Sequence, residues 1–108
     1  VILLKGLTET STEDMKTTLD LNVLGLSIIT REVVKMMQAH KINGHIIHIN
    51  STLGHQVISH AFSIYPATKF AVTALTETLR QELNSLGLKI KVTVSVLGWK
   101  GLDFDAFL

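Results

Sequence analysis

The sequence has a single tyrosine, Tyr65, and it stands four positions before Lys69 in the run SIYPATKFAV, Ser63 to Val72. Residues i and i+4 are neighbours on a helix, with side-chain roots about 6 Å apart. An ammonium at that distance, with an effective dielectric near about 20, is worth roughly 3 kcal/mol, or about two pKa units. On that arithmetic the phenol falls from about 10 toward about 8, a range suited to moving a proton on or off an alcohol oxygen. The alternative is an ordinary helix with one packed tyrosine and a snorkelling lysine. Ser51 supplies a second oxygen. It follows the apolar run HIIHIN, His45 to Asn50, and opens a loop rich in Ser, Thr and Gly. Ligands of open α/β sheets sit outside the carboxyl ends of the strands. The helix carrying Tyr65 begins one loop later, so its first turn returns to that edge. Ser51 and Tyr65 are therefore predicted to converge on one small oxygen.

Four elements must position these groups. A long helix is expected from Ser11 to His40. Thr10 or Ser11 can cap it, with Glu13 or Asp14 completing a capping box. Val23, Leu26, Ile29 or Thr30, Val33 and Met37 recur at helical spacing. Asn22 and Gly25 interrupt that pattern. An interior glycine costs about 1 kcal/mol relative to alanine, so Gly25 marks close packing or a kink. Asn43-Gly44 ends the unit. His45 to Asn50 is β-branched and apolar and reads as a buried strand. A second helix is expected from Ser63 to Leu86, with Tyr65, Lys69, Val72 or Thr73, Thr76, Leu79 and Leu83 along one broad face. Gly87 stands at its C-terminal cap, and Pro66 falls in the first turn if Ser63 caps the helix. Ile90 to Gly98 alternates apolar and polar residues and is the second strand.

Strand, helix, strand is a βαβ unit, so the two strands should be parallel neighbours. Two strands and two long helices are less than a complete parallel sheet, which is normally covered on both faces. The expected fold class is α/β: part of a doubly wound, Rossmann-like parallel sheet belonging to a larger domain.

Composition narrows the function classes. At 46% hydrophobic and 18% charged, the chain buries surface rather than staying disordered. Ten basic residues against nine acidic ones, with no basic run, give no footprint for nucleic acid or a membrane surface. No apolar run is long enough for a transmembrane helix. The absence of cysteine excludes disulfides and thiolate metal sites, and suits a reducing, cytoplasmic setting. Among five histidines, His45 and His48 are three apart on a strand and point to opposite faces, so no metal site is expected. The apolar stripes of both helices, including Met36 and Met37, are expected to pack the sheet.

Three motifs recur in order: N-x-x-G from Asn22 to Gly25, S-x-x-G from Ser51 to Gly54, and Y-x-x-x-K from Tyr65 to Lys69, the last ending Ala67-Thr68-Lys69. Together they resemble the catalytic half of the short-chain dehydrogenase/reductase family across essentially the whole chain. In detail the chain is most similar to the family's farnesol-dehydrogenase-like group and the related member 11 group. The resemblance implies roles. Tyr65 would exchange a proton with the substrate oxygen and Ser51 would hydrogen-bond that oxygen. Lys69 would bind the nicotinamide ribose hydroxyls and lower the Tyr65 pKa, and Asn22 would hold a water linking Lys69 to solvent. Asn22, Tyr65, Lys69 and Gly98 would lie against the cofactor. That cofactor would be NADP or NAD, with NADP favoured, and it would carry the hydride. The substrate would be a small hydrophobic alcohol or ketone, such as a terpenoid or steroid, and the two long helices would form a homodimer interface.

The chain also departs from the family. The glycine-rich T-G-x-x-x-G-x-G turn and the N-N-A-G motif are absent, so the chain reads as a catalytic portion without the N-terminal cofactor-binding half. Leu97 stands where the family has a proline before Gly98, and Leu102 stands near an expected threonine. Both changes are expected to weaken nicotinamide binding. The competing readings are a non-catalytic, truncated or degenerate copy that acts as a binding module, and a sugar-nucleotide epimerase of the wider superfamily. The NVLG and TALTETLRQEL segments fit the dehydrogenases better than the epimerases.

Overall fold

The computed structural model describes residues 4–97 and, in its backbone, 103–104. Gly98 and Leu102 lie outside the described residues. The first helix, α1, is Thr12–Leu19, and of the two candidate caps Ser11 takes the role: its hydroxyl accepts from the Asp14 N–H at 3.1 Å. Asp14 does not complete a capping box, because its carboxylate pairs instead with Lys5 at 2.9 Å. The expected single helix continues, but through a π-helical segment, Asp20–Gly25, before α2, Leu26–Ala39. Gly25 marks a close approach: a β-carbon there would lie 3.1 Å from the Asp20 carbonyl oxygen. Helix α2 stops ahead of Asn43-Gly44. Lys41 adopts a φ of 54°, and Ile42 N–H donates to Met37 C=O at 2.8 Å, a hydrogen-bonded C-terminal cap made without glycine.

Strand β1, His45–Ser51, and strand β2, Lys91–Leu97, pair in parallel from His45↔Lys91 to Ser51↔Leu97. Between them in the chain runs α3, Tyr65–Ser85. A third strand, β3, is only Asp103–Phe104; it pairs antiparallel with the end of β2, giving the order β1-β2-β3. Two residues are too short to show a period, which is why the sequence pattern of the tail did not announce it. The architecture is a partial α/β, Rossmann-like domain.

Helix α3 ends as its sequence predicts. Gly87 has a φ of +68°, with Leu88 N–H on Leu83 C=O at 3.0 Å and Gly87 N–H on Asn84 C=O at 3.1 Å. Its start differs from expectation. Ser63 is not the cap: it has a φ of +51°, and its hydroxyl bonds the Thr10 hydroxyl at 2.5 Å. Ile64 precedes the first helical residue, Tyr65, and Pro66 still sits in the first turn, where its missing N–H has no intrahelical partner to lose.

One face of the sheet is covered. Ile46, His48 and Asn50 of β1 and Val92, Val94 and Val96 of β2 are buried, as are Val72, Thr76, Leu79 and Leu83 of α3. Val33, Val34 and Met37 of α2 pack against this core. Thr30 rather than Ile29 turns inward, Ile29 being 65% exposed, and Met36, expected in the core, is 62% exposed. The other sheet face carries Ile47 and Ile49, each 55% exposed. Among the described residues no helix is long and apolar enough to cross a membrane.

Candidate active site

The carboxyl end of β1 and the first turns of α3 meet. Ser51 is the last residue of β1, and its hydroxyl accepts from the Leu53 N–H at 3.2 Å, starting the tight turn Thr52–Gly54. Tyr65 opens α3, half-buried, and the Ser51 hydroxyl lies near enough to its phenol to favour the phenolate. One turn along, Lys69 places its Nζ over the Tyr65 ring, 5.6 Å from the centroid. The end of β1 and the start of α3 thus bring Ser51 and Tyr65 to the same edge of the sheet.

The electrostatics run against the sequence arithmetic. The Tyr65 pKa is raised above the ordinary tyrosine value, because burial disfavours the phenolate more than the nearby Ser51 hydroxyl favours it. Burial likewise lowers the Lys69 pKa. The expected fall toward about 8 assumed two charges interacting at helix spacing. In the fold the ammonium lies over the ring, where it is attracted by the neutral phenol as well as by the phenolate. Desolvation then decides the sign for both groups.

Asn22 reaches the site at one remove. It lies in the π-helical segment, and its Nδ2 donates to the Thr68 hydroxyl at 3.0 Å. Thr68, fully buried, donates in turn to the Tyr65 carbonyl at 2.7 Å. Asn22 is therefore tied to the helical turn between Tyr65 and Lys69, and bonds neither side chain. Gly98 falls outside the described residues.

Two polar residues of β1 escaped the sequence reading as part of this region. Asn50 is buried beside Ser51 and donates from Nδ2 to the Thr73 hydroxyl at 2.9 Å. His48, further down the covered face, bonds Thr76 through Nδ1 at 2.7 Å and Thr30 through Nε2 at 3.0 Å. Thr76 already donates its proton to the Val72 carbonyl, at 2.8 Å. It must accept from Nδ1–H, which leaves Nε2 to accept from Thr30 and fixes the neutral tautomer. The available signal was the trio Thr68, Thr73 and Thr76, whose hydroxyls interrupt an otherwise apolar helix face. Among the described residues, no group of three or more His, Cys, Asp or Glu side chains is placed to hold a metal ion.

Comparison with known proteins fits this geometry. The short chain dehydrogenase family model matches residues 3–99. The chain is 48% identical over 80 residues to the farnesol dehydrogenase of Aedes aegypti, covering 73% of this chain and 33% of that protein. It is 48% identical over 85 residues to the human dehydrogenase/reductase SDR family member 11, covering 77% of this chain and 33% of that protein. A short chain dehydrogenase/reductase from Burkholderia phymatum, solved in complex with NAD, superposes with a TM-score of 0.85 at 27% identity, covering 92% of this chain and 35% of that one. The chain spans about a third of the length of the curated relatives it matches.

Proposed function

Because the chain belongs to the short chain dehydrogenase family, we propose that it carries the catalytic portion of a nicotinamide-dependent oxidoreductase interconverting an alcohol and its carbonyl. The observation that carries this reading is the meeting of the Ser51 hydroxyl and the Tyr65 phenol at the carboxyl end of β1, with Lys69 over the ring. In this reading Tyr65 gives its proton to a carbonyl oxygen, or takes one from an alcohol. A phenol kept protonated by burial is ready for the reductive direction. Ser51 holds the same oxygen by a hydrogen bond. Asn22 steadies the Tyr65–Lys69 turn through Thr68, and its free amide oxygen is the group available to a water leading toward Lys69.

The residues present fit the cofactor in one testable respect. Among the described residues the Lys69 ammonium, half-buried, has no hydrogen-bond acceptor and no carboxylate partner. A ribose diol supplies such acceptors. When bound, the nicotinamide supplies or accepts the hydride. The resemblance favours NADP over NAD, and Gly98 would lie beside it.

The substrate class that goes with this reading is a small hydrophobic alcohol or ketone, and a cytoplasmic setting suits a chain without cysteine. A homodimer through α2 and α3 is part of the same proposal. Leu26, Val34 and Leu75 line a groove of 330 Å³ between those helices, together with Lys35 and Glu82. Sedimentation of the chain tests it: a monomer at high concentration refutes it.

The deciding experiment is binding of NADPH and NADH, by fluorescence or calorimetry, to this chain and to a longer form carrying upstream sequence. Binding by the longer form, with turnover lost by about 10²–10⁴-fold in Tyr65→Phe, supports the proposal. Failure of both forms to bind favours the second reading, a non-catalytic copy acting as a binding module. What favours that alternative is Leu97, which stands where the resemblance implies a proline before Gly98.

A further inference from the structure

We propose that Asn50 and Thr73 form a positioning pair that sets the Ser51 hydroxyl against the Tyr65 phenol. The inference rests on the active-site reading above and adds two residues to it, neither of them a catalytic residue. Asn50 directly precedes Ser51 and points to the opposite face of β1, where it is 2% exposed. Its Nδ2 donates to Thr73 Oγ1 at 2.9 Å. Thr73 lies one turn past Lys69 on α3, and its single hydroxyl proton is shared between the Gly54 carbonyl at 3.1 Å and the Lys69 carbonyl at 3.3 Å. One amide and one hydroxyl therefore join three backbones: the end of β1, the turn Thr52–Gly54, and the Lys69 turn of α3. Ser51 is held on both sides, by the side chain of the residue before it and by the turn after it.

The junction has no slack. A β-carbon on Gly54 would lie 2.7 Å from Asn50 Oδ1, 2.8 Å from Asn50 Nδ2 and 2.8 Å from the Lys69 carbonyl oxygen. The turn can reach this position only because residue 54 is glycine. The amide also makes a poor core residue in its own right. Asn50 Oδ1 is buried and accepts no hydrogen bond, a cost an apolar side chain of similar size would avoid. What Asn50 contributes at that cost is direction, since a hydrogen bond fixes an orientation that apolar contact leaves free.

Tyr65 is the chain's only tyrosine, so isotope-labelled tyrosine gives one Cζ resonance, and its position reports the hydrogen bonding of one phenol. The measurement compares the 108-residue chain with Ser51→Ala, Thr73→Val and Thr73→Ser at neutral pH, with circular dichroism to confirm folding. Ser51→Ala is expected to shift the resonance by removing the partner directly. Thr73→Val should shift it in the same direction, and Thr73→Ser, which keeps the hydroxyl, should restore the original position. A resonance unmoved in Ser51→Ala means that the Ser51–Tyr65 pairing, and with it the active-site reading, is wrong. A resonance moved by Ser51→Ala but not by Thr73→Val overturns the positioning pair and leaves the site reading standing. Equal shifts in the valine and serine variants also overturn it, since shape rather than the hydroxyl would then be responsible. If Thr73→Val does not fold, Thr73→Ala, which removes the hydroxyl without putting a methyl in its place, is read by the same rule.

Discussion

Replacing Thr76 with valine should destabilise the chain by about 1–3 kcal/mol, because it strands a buried donor. Valine keeps the shape of threonine, so little cavity is added and the hydroxyl is nearly all that is lost. His48 is 3% exposed and gives its Nδ1–H to Thr76 at 2.7 Å. No water can replace the lost acceptor where both residues are buried. Thr30→Val removes the partner of Nε2 on a half-buried helix face, where water can substitute, and should cost less than about 1 kcal/mol. Urea denaturation followed by circular dichroism measures both. At about 4–8 °C per kcal/mol for a domain of this size, Thr76→Val should also lower Tm by roughly 5–20 °C. Acid should act at the same residue. Burial lowers the His48 pKa, so the folded state favours neutral imidazole. The resulting stability is complete above the ordinary histidine value of about 6.5 and is lost as pH falls through the lower folded value. His48→Leu should remove that part of the pH dependence. If Thr76→Val costs under about 0.5 kcal/mol, or costs as much in the His48→Leu background as in wild type, the hydrogen bond is not what holds this layer together.

Two helix ends give a matched pair of further tests. Lys41 holds a φ of 54° at the end of α2, so Lys41→Gly should stabilise by about 0.5–1 kcal/mol; Gly87, at +68° in open space, should cost about 1 kcal/mol when changed to alanine. Both are read from the midpoint of urea unfolding, and equal signs would contradict the argument. Gly54→Ala should cost about 1–3 kcal/mol, since its β-carbon meets a backbone carbonyl that cannot swing aside. Asn22→Ala should cost about 1 kcal/mol through the lost bond to Thr68, and Thr68→Val should make the second loss smaller if the two act as one link.

Local patterns carried much of this fold. The alternation from Ile90 to Gly98, the β-branched run before Ser51 and Gly87 after α3 each describe a residue's immediate neighbours, and each element formed close to its expected bounds. What stayed hidden depends on residues far apart in the chain. The π-helical turn at Asn22 is accompanied by a bond to Thr68, 46 positions away. Ser63 lost its capping role to a bond with Thr10, 53 positions away. The sign of the Tyr65 shift could not be read from a spacing of four, because spacing specifies proximity and says nothing of burial.

The inward threonines of α3 explain why these distant contacts matter to the site. Thr68, Thr73 and Thr76 each take one side chain from another element: Asn22 from the π-helical segment, and Asn50 and His48 from β1. Apolar contacts such as those of Val72, Leu79 and Leu83 supply most of the burial energy, but they tolerate small rotations and slides of a helix on a sheet. Hydrogen bonds with fixed donors and acceptors do not. A helix whose only task was to cover β1 and β2 could use valine or leucine at all three positions and avoid the desolvation of six polar side chains. Helix α3 carries the polar layer instead, and Tyr65 and Lys69 lie at the end where two of the three links fall. The threonines thus link the angular setting of that end to the same buried layer whose stability Thr76 supports.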